Sequence, residues 1–569
     1  MSSSSGGSED TALKAILKAT LVLAGLGLAA CQTAAGEPIA QMEPAQTAAP
    51  ATAERPNILF IITDDMYPWM FNNLPQGQDS TGKGRNVTPH IDELIRTGSF
   101  LSEMYVASPV CTPSRYNVLT GNYASRAQNK KFTNFTRENE GQTVIQWNSF
   151  VTPGGEKTLG DRLQALGYRT GFVGKNHVIE SLEQVDQSKR PDLDADPRDP
   201  EVKALLEYRH KSLQEDIKAS GFDYADNLYD NNPRWLGVDA LAVQNMDWIT
   251  QGGVNFLKEE DDRPFFLYFA TTLPHAPTAP KQSWLADPLI TPKGFLDEPL
   301  TVQPPRDTLT PRVEAAGQGG KGQENLLWLD DGIGALLDEL EKSGKLDNTI
   351  IVFFNDHGQQ EKGTLYEGGL HTQAFVWRKQ GFACGSDCDF RASNTDFLET
   401  ILELAGEENV ARYSDGRSFA GALNGVPRAD QRSGYHELGF ARAVVKDGFK
   451  YIAIRYPKGM QNLTTEQRAK LLADYNKFRL SFGAEVINTD PSKGFGHLEM
   501  VPGGGPAEHG AYGKRASYFD ADQLYDLRAD PREKVNLAKD PAYASVLAEM
   551  KAEMRTYLED LPGDFPLDD

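Results

Sequence analysis

The sequence predicts an α/β fold in which a large, mostly parallel central sheet is flanked by helices and followed by a smaller C-terminal antiparallel-sheet subdomain. Three observations predict it. Short apolar runs rich in β-branched residues recur between residues 57 and 358, most of them after a helical segment, and each ends in polar residues. The runs are continuous rather than alternating, as in strands buried on both faces. From about residue 431 the pattern changes to alternating runs around Asp447-Gly448, a strong hairpin signal.

Taken in order, the chain opens with a Ser-rich start, Lys14 and Lys18, and then "ATLVLAGLGLAAC". This reads as a positive n-region and an apolar h-region too short to span a bilayer. The segment ends in Leu28-Ala29-Ala30-Cys31, which resembles a bacterial lipoprotein lipobox. The resemblance implies removal of residues 1–30, lipidation of Cys31 and an exported, lipid-anchored protein. Gln32 after the cysteine points to the outer membrane or cell surface of a Gram-negative bacterium, with the periplasm as alternative. An ordinary secretory signal with an incidental cysteine is the plainer reading. Residues 31–55, rich in Ala, Thr, Pro and Glu, read as a flexible tether.

Residues 56–430 read as the main domain and 431–569 as the C-terminal subdomain. "NILFIIT" (57–63) is the first buried strand, and it delivers Asp64 and Asp65 at its carboxyl end. "TGFVGKNH" (170–177) follows the helical "TLGDRLQALGY". "RPFFLYFATTLPHAP" (263–277) follows "LAVQNMDWITQGGVNFLK", and "NTIIVFFNDHG" (348–358) follows "ENLLWLDDGIGALLDELEKSG". Residues 186–235, charged and with several Asp-Pro pairs, read as an insertion with some helix at the rim of the site. "ARAVVKDGFKYIAIRY" (441–456) is a hairpin, and "QLYDLRADPREKVNLA" (523–538) adds a strand, a turn and a helix start.

The chain has 569 residues, 39% hydrophobic and 24% charged, enough for a large domain and a smaller one. A formal net charge of −22 argues against nucleic acid or an anionic membrane surface as the main partner. An anionic substrate would need local cations to overcome that field. Of the four cysteines, Cys31 belongs to the lipobox. Cys384 and Cys388 in "ACGSDCD" read as a short local disulfide, the alternatives being a reduced pair or a metal site. Cys111 stands alone.

Ligands of parallel sheets bind beyond the strands' carboxyl ends, and every candidate group falls there. Asp64 and Asp65 are adjacent, and at a strand end, where the chain turns, both can face one ion. Asp356 and His357 repeat the arrangement. Three carboxylates and one further ligand suit a hard divalent cation, Ca2+ above Mg2+; surface carboxylates or a helix cap are the plainer reading of the Asp pair. Lys175 and His177, two apart, share a face of their strand end. His275 lies between Pro274 and Pro277, Lys362 in a Gly-rich loop, and Arg115 four residues after Cys111. These cations could neutralise a tetrahedral oxyanion; structural histidines and solvated lysines are the plainer reading.

"CTPSRYNVLTG" (111–121) resembles the signature of the formylglycine-dependent (type I) sulfatases of the alkaline-phosphatase-like superfamily. "NILFIITDD", "GKNH", "LPHAP", "NDHG", "KGTLYEGG" and "LYDLRADPREKVNLA" keep the family's order, so the resemblance covers residues 56 to about 540. It implies an alkaline-phosphatase-like sandwich. It also implies that a formylglycine-generating maturation enzyme reads Cys-x-Pro-x-Arg and oxidises Cys111 to an aldehyde, whose hydrate is a geminal diol. A diol keeps a second hydroxyl through which a transferred sulfate can be expelled, which a serine or cysteine lacks.

By position, the resemblance implies that Asp64, Asp65, Asp356, His357 and formylglycine-111 hold the metal. Arg115 and Lys175 would stabilise formylglycine-111, His177 would be the base for sulfate release, and His275 and Lys362 would grip the sulfate and protonate the leaving alcohol. His357 departs from the asparagine that the family often has, and His371 from a common arginine; His371 reads as structural or substrate-contacting. The implied activity is hydrolysis of sulfate esters, with a sulfated polysaccharide or oligosaccharide as the expected substrate and no nucleic-acid partner. A phosphonate or phosphodiester hydrolase of the same superfamily and a non-catalytic glycan-binding lipoprotein are the alternatives. Arg234, Trp235 and Trp284 read either as a sugar subsite or as packing and rim residues.

Overall fold

The computed structural model describes residues 55–568, apart from 182–190, 276–282, 319–321, 408–413, 429–432, 482–485, 487, 494–495, 499–505 and 512–513. The expected signal segment, Cys31 and the tether up to residue 54 lie outside the described residues. Among the described residues no helix is long and apolar enough to cross a membrane.

The first strand, β1 (Asn57–Thr63), is buried on both faces because its side chains alternate between two cores. Ile58, Phe60 and Ile62 pack into one with Phe172, Tyr268 and Phe354. Leu59 and Ile61 pack into the other with Phe269, Phe353 and Trp328. The remaining strands of the central sheet are β2 (Ser99–Leu101), β3 (Arg169–Lys175), β4 (Tyr224–Tyr229), β5 (Phe265–Ala270), β6 (Thr349–Asn355), β7 (Ala374–Trp377) and β8 (Asp387–Cys388). Their order across the sheet is β8-β2-β7-β6-β1-β5-β3-β4. The core of the sheet is parallel: β1 pairs with β5 and β6, and β3 with β4 and β5. β7 runs antiparallel to both β6 and β2.

Register brings the strand exits level. Thr63 lies opposite Asn355, Ile62 opposite Ala270, and Gly174 opposite Ala270. The residues just beyond these positions are therefore delivered to one cleft. The connecting helices carry ordinary start signals. Thr158 and Asp161 form a capping box on α2 (Leu159–Ala165), and Asn245 caps α4 (Met246–Lys258) by accepting from Trp248 N at 3.0 Å. Before α2 comes α1 (Cys111–Thr120), all ten residues of which are buried; it ends on Gly121 at φ 69°. The helix leading into β6 is α5 (Gln323–Lys342).

Residues 186–235 hold the expected helix but are not wholly an insertion. They contain α3 (Pro200–Lys218) and the whole of β4, which pairs in parallel with β3 as an edge of the main sheet. Charge hides both. The buried stripe of α3 is Leu206, Leu213 and Ile217 among many charged residues, and the edge strand "YADNLY" needs a full apolar cover on neither side.

A second sheet comes next, built from β9 (Gly434–Leu438), β10 (Ala441–Lys446), β11 (Phe449–Ile454) and β12 (Asp522–Asp526), antiparallel in that order. Asp447 and Gly448, at φ 50° and 79°, make the β10–β11 turn. The helix expected to start by residue 538 starts later, as α6 (Ala544–Leu558). Asp530 Oδ2 instead holds the chain in a turn by accepting from Lys534 N at 2.6 Å and Val535 N at 2.9 Å. Cys384 and Cys388 are disulfide-bonded, their Cα atoms 5.6 Å apart.

Candidate active site

The cleft begins with a backbone bend. Asp65 sits at φ 66°, a left-handed conformation that aspartate tolerates better than most residues. On a straight strand Asp64 and Asp65 would point to opposite faces; the bend lets both enter one site. Asn355, the last residue of β6, fixes the bend. Its Oδ1 accepts from Met66 N at 2.9 Å, and its Nδ2 lies 3.1 Å from Met66 O and 2.7 Å from His357 O. Asp356 Oδ1 accepts from Asp65 N at 3.2 Å. The exits of β1 and β6 are thus stapled together.

Cys111 is the first residue of α1 and almost fully buried. Around its Sγ stand Lys362 Nζ at 3.3 Å, Asp64 Oδ1 at 3.5 Å and His357 Nε2 at 3.6 Å. Arg115, one helical turn on, places Nη2 3.2 Å from Asp356 Oδ2 and 3.7 Å from Asp64 Oδ1. Ser114 Oγ donates to Asp356 O and is itself met by Asn394 Nδ2 at 2.9 Å. Lys175, at the end of β3, reaches Asp64 Oδ2 at 2.5 Å; Lys362 reaches Asp65 Oδ1 at 2.6 Å. His275 Nε2 lies 3.3 Å from Asp65 Oδ2, and Gln359 Nε2 donates to the same oxygen at 3.1 Å. His177 takes a left-handed φ of 51° beyond β3, with its amide donating to Asp230 O at 2.8 Å.

Electrostatics separates these groups into roles. Burial pushes the Asp64 carboxyl up, but Lys175, His275, Arg115 and Lys362 outweigh it and hold the group well below the carboxylate range. Asp65 is held low in the same way, against burial, by His275, Lys362 and a bond from His357. Burial pushes Asp356 up, with Asp64 and Asp65 adding to it against His357 and Arg115. Burial lowers His177, and the cations Lys175 and Arg115 lower it further, so it is a neutral base at neutral pH. His275 is pushed down to about 4 by burial. Lys362 is raised above its ordinary value despite burial, chiefly by Asp65, and stays a cation.

The residues present fit a divalent cation. Ligand atoms of Asp64, Asp65, Cys111 and His275 lie within 4.8 Å of one another, as do those of Cys111, Asp356 and His357. Burial pulls His357 down, yet Asp356 beside it and its bonds to Asp65 and Cys111 push it up to about 10. Carboxylates that outweigh burial in this way mark a place where the protein favours positive charge. His357 Nε2 lies 3.1 Å from Asp65 Oδ1 and 3.5 Å from Asp356 Oδ1, within the same pocket of donors.

The sequence-derived set therefore converges, with three residues added that sequence reasoning passed over. Asn355, Gln359 and Asn394 act on the site through partners distant in sequence; only the position of Asn355 at a strand end hinted at a role. Two other candidates have structural surroundings. His371 donates from Nε2 to Ser102 O at 2.8 Å and stands beside the Tyr105 ring, a structural place. Trp284 is buried in the second core, as a packing residue. Trp235 is partly buried, and the side chain of Arg234 is outside the described residues.

Known proteins identify the family. The family model described as Sulfatase matches residues 56–407. An ulvan-active sulfatase of Formosa agariphila is 25% identical over 531 residues, covering 90% of this chain and 76% of the relative. An N-acetylglucosamine-6-O-sulfatase of Bacteroides thetaiotaomicron is 23% identical, covering 90% and 88%. A protein solved in complex with its substrate D-glucosamine-2-N,6-O-disulfate superposes with a TM-score of 0.52 at 19% identity, covering 89% of this chain and 98% of its own, and so shares the fold. With its family match, its aligned relatives and its cleft of cations around Cys111, this chain belongs to the sulfatase family and is a sulfuric ester hydrolase.

Proposed function

We propose that the protein removes sulfate from a sulfated polysaccharide or oligosaccharide, with formylglycine made from Cys111 as nucleophile and Ca2+ as the bound cation. The observation that carries this reading is the convergence on Cys111 Sγ of Lys362, Asp64 and His357 within 3.3–3.6 Å. A buried thiol in a nest of metal-type ligands and cations is poorly placed as a structural cysteine. The substrate class is supported by the relatives: one acts on ulvan and one is an N-acetylglucosamine-6-O-sulfatase.

Formylglycine at position 111 supplies, as its hydrate, an attacking oxygen and a second hydroxyl for release of sulfate. Asp64, Asp65, Asp356 and His357 would hold a divalent cation, which would supply Lewis-acid neutralisation of the sulfate oxygens. The chain's own residues do the rest. Arg115 and Lys175 hold positive charge beside position 111. Neutral His177 accepts a proton. Lys362, kept protonated by Asp65, offers a proton and a positive charge to the departing side, where His275 also stands; such a donor is worth about 10²–10⁴-fold when an alkoxide must leave.

Cys31 and the segment before it support export and lipid anchoring, which would set the enzyme against polymers too large to import. Maturation by a formylglycine-generating enzyme belongs to the same proposal.

The deciding test is the mass of tryptic peptide 97–115 from protein made in its native host. A peptide lighter than the cysteine form and reactive to an aldehyde probe is expected. An intact thiol would overturn the nucleophile and bring the non-catalytic glycan-binding reading forward. Paired aryl sulfate and aryl phosphate esters should show the sulfate turned over faster. For the metal, chelation is expected to lower the melting temperature and Ca2+ to restore it more fully than Mg2+; equal restoration would remove the preference for calcium.

A further inference from the structure

The loop that carries Lys362 is held from behind by charges of the C-terminal part of the chain. Its neighbour Glu361 receives both arms of Arg515, Nη1 to Oε1 at 2.6 Å and Nη2 to Oε2 at 3.0 Å. The same guanidinium lies over the Tyr366 ring, 3.7 Å from its centroid. Its Nε donates to Glu533 O at 3.2 Å, and Nη2 lies 3.4 Å from Glu533 Oε2. Glu533 Oε1 takes Lys450 Nζ at 2.7 Å, and Lys450 reaches Glu367 Oε1 at 2.7 Å. The Glu367 amide closes the circuit by donating to Glu533 Oε2 at 2.8 Å.

This network is costly to build. Lys450 and Glu533 side chains are 0% exposed, Arg515 5% and Glu361 11%. Glu533 also holds a left-handed φ of 52°, unfavourable for glutamate. Buried ion networks are weak sources of stability, and a fixed geometry is the better account of one. The element it fixes is a loop also tied to the segment leading into α1: Gly363 N donates to Pro109 O at 3.1 Å, two residues before Cys111. Between these anchors Lys362 reaches Cys111 Sγ at 3.3 Å and Asp65 Oδ1 at 2.6 Å. Neither Arg515 nor Glu533 comes within hydrogen-bonding distance of Cys111 or of the strand-end carboxylates.

We propose that Arg515 is a positioning residue for the reaction: through its fork on Glu361 and its stack on Tyr366 it sets Lys362 against Cys111 and Asp65, so that the C-terminal segment completes the active site. This rests on the role given to Lys362 above. The test is a double-mutant cycle on the matured full chain with phenyl sulfate, a poorly activated ester whose leaving oxygen benefits from a proton donor, using Arg515→Gln, Lys362→Ala and the pair. Arg515→Gln is expected to lower kcat about tenfold or more with little change in KM, since small displacements of a catalytic group carry large rate costs. Arg515→Lys, which keeps the charge and loses the fork, should fall between. In the Lys362→Ala background Arg515→Gln should change kcat by less than about twofold, where a merely structural role would add its full cost. A folded Arg515→Gln enzyme with wild-type kcat, or full additivity in the cycle, would overturn the proposal while leaving sulfatase action intact. A Lys362→Ala enzyme with wild-type kcat would overturn the role of Lys362 and this inference with it. Should Arg515→Gln fail to fold, Glu361→Gln carries the same cycle with the same expected signs.

Discussion

Asn355 makes a site out of two strands that would otherwise merely end side by side. Its amide answers both the N–H and the C=O of Met66 on one exit and His357 O on the other, and the residue is wholly buried. Replacing it by alanine leaves those groups unpaired where water cannot easily serve them, at about 1–3 kcal/mol for each unsatisfied group. Asn355→Ala is therefore expected to lose at least about 2 kcal/mol of stability and a larger share of activity than of fold, because Asp65 and His357 flank the staple. Urea unfolding beside kcat on an aryl sulfate measures both; unchanged kcat in a folded variant would deny Asn355 a part in shaping the site. In the sequence this residue is one letter of "NDHG". The aspartate and histidine after it advertise metal chemistry by type, whereas the work of an amide depends on a partner nearly three hundred positions away.

At the scale of the element, the last turn of β3 does something its apolar core does not foretell. Pairing with β4 slips between Val173 and Gly174, a bulge, and Gly174 takes φ 90° there. A Cβ on Gly174 would run into the carbonyl oxygen of Ala270 on β5. The bulge re-aims the end of the strand, sending Lys175 to Asp64 and turning the chain toward His177. Gly174→Ala is expected to cut kcat more than about tenfold with β3 still in the sheet, read by activity against far-UV circular dichroism; full activity would show that the strand end adjusts without moving Lys175. These strands and their exits were legible because buried parallel strands read as continuous apolar runs, and β1 and β6 are such runs. β4 was not, since an edge strand needs less cover and its six residues include Asp226 and Asn227. The bulge was invisible for a different reason: glycine in "VGK" is compatible with a plain strand, and only the neighbouring β5 backbone rules out a side chain.

For the molecule as a whole, charge is distributed against the global sign. The chain carries −22, yet Lys175, Lys362 and Arg115 gather beyond the carboxyl ends of the central strands and oppose the carboxylates there before any metal adds to them. Away from the cleft, burial of histidine sets a limit on acid tolerance. Burial pushes His436 down to about 3, only partly offset by the bond its Nδ1–H donates to Val106 O at 2.8 Å. His497 is pushed down to about 4, its Nε2 donating to Tyr518 O at 3.0 Å. The unfolded chain takes up a proton at each of these positions as pH falls through about 6.5, and the folded chain does not until pH approaches the lowered values. Their stability contribution is thus fully present above about pH 6.5 and is lost as pH falls, by about 1.4 kcal/mol per pH unit for each histidine. Between pH 7 and pH 5 the loss from His436 alone comes to about 2 kcal/mol. His436→Gln keeps a donor for Val106 O but removes the titrating group. Thermal or urea unfolding at the two pH values should therefore show a smaller drop in the variant than in the wild type. An equal drop in both would mean that His436 is protonated in the folded protein at pH 5, and that the β9 end of the C-terminal sheet opens to admit the proton.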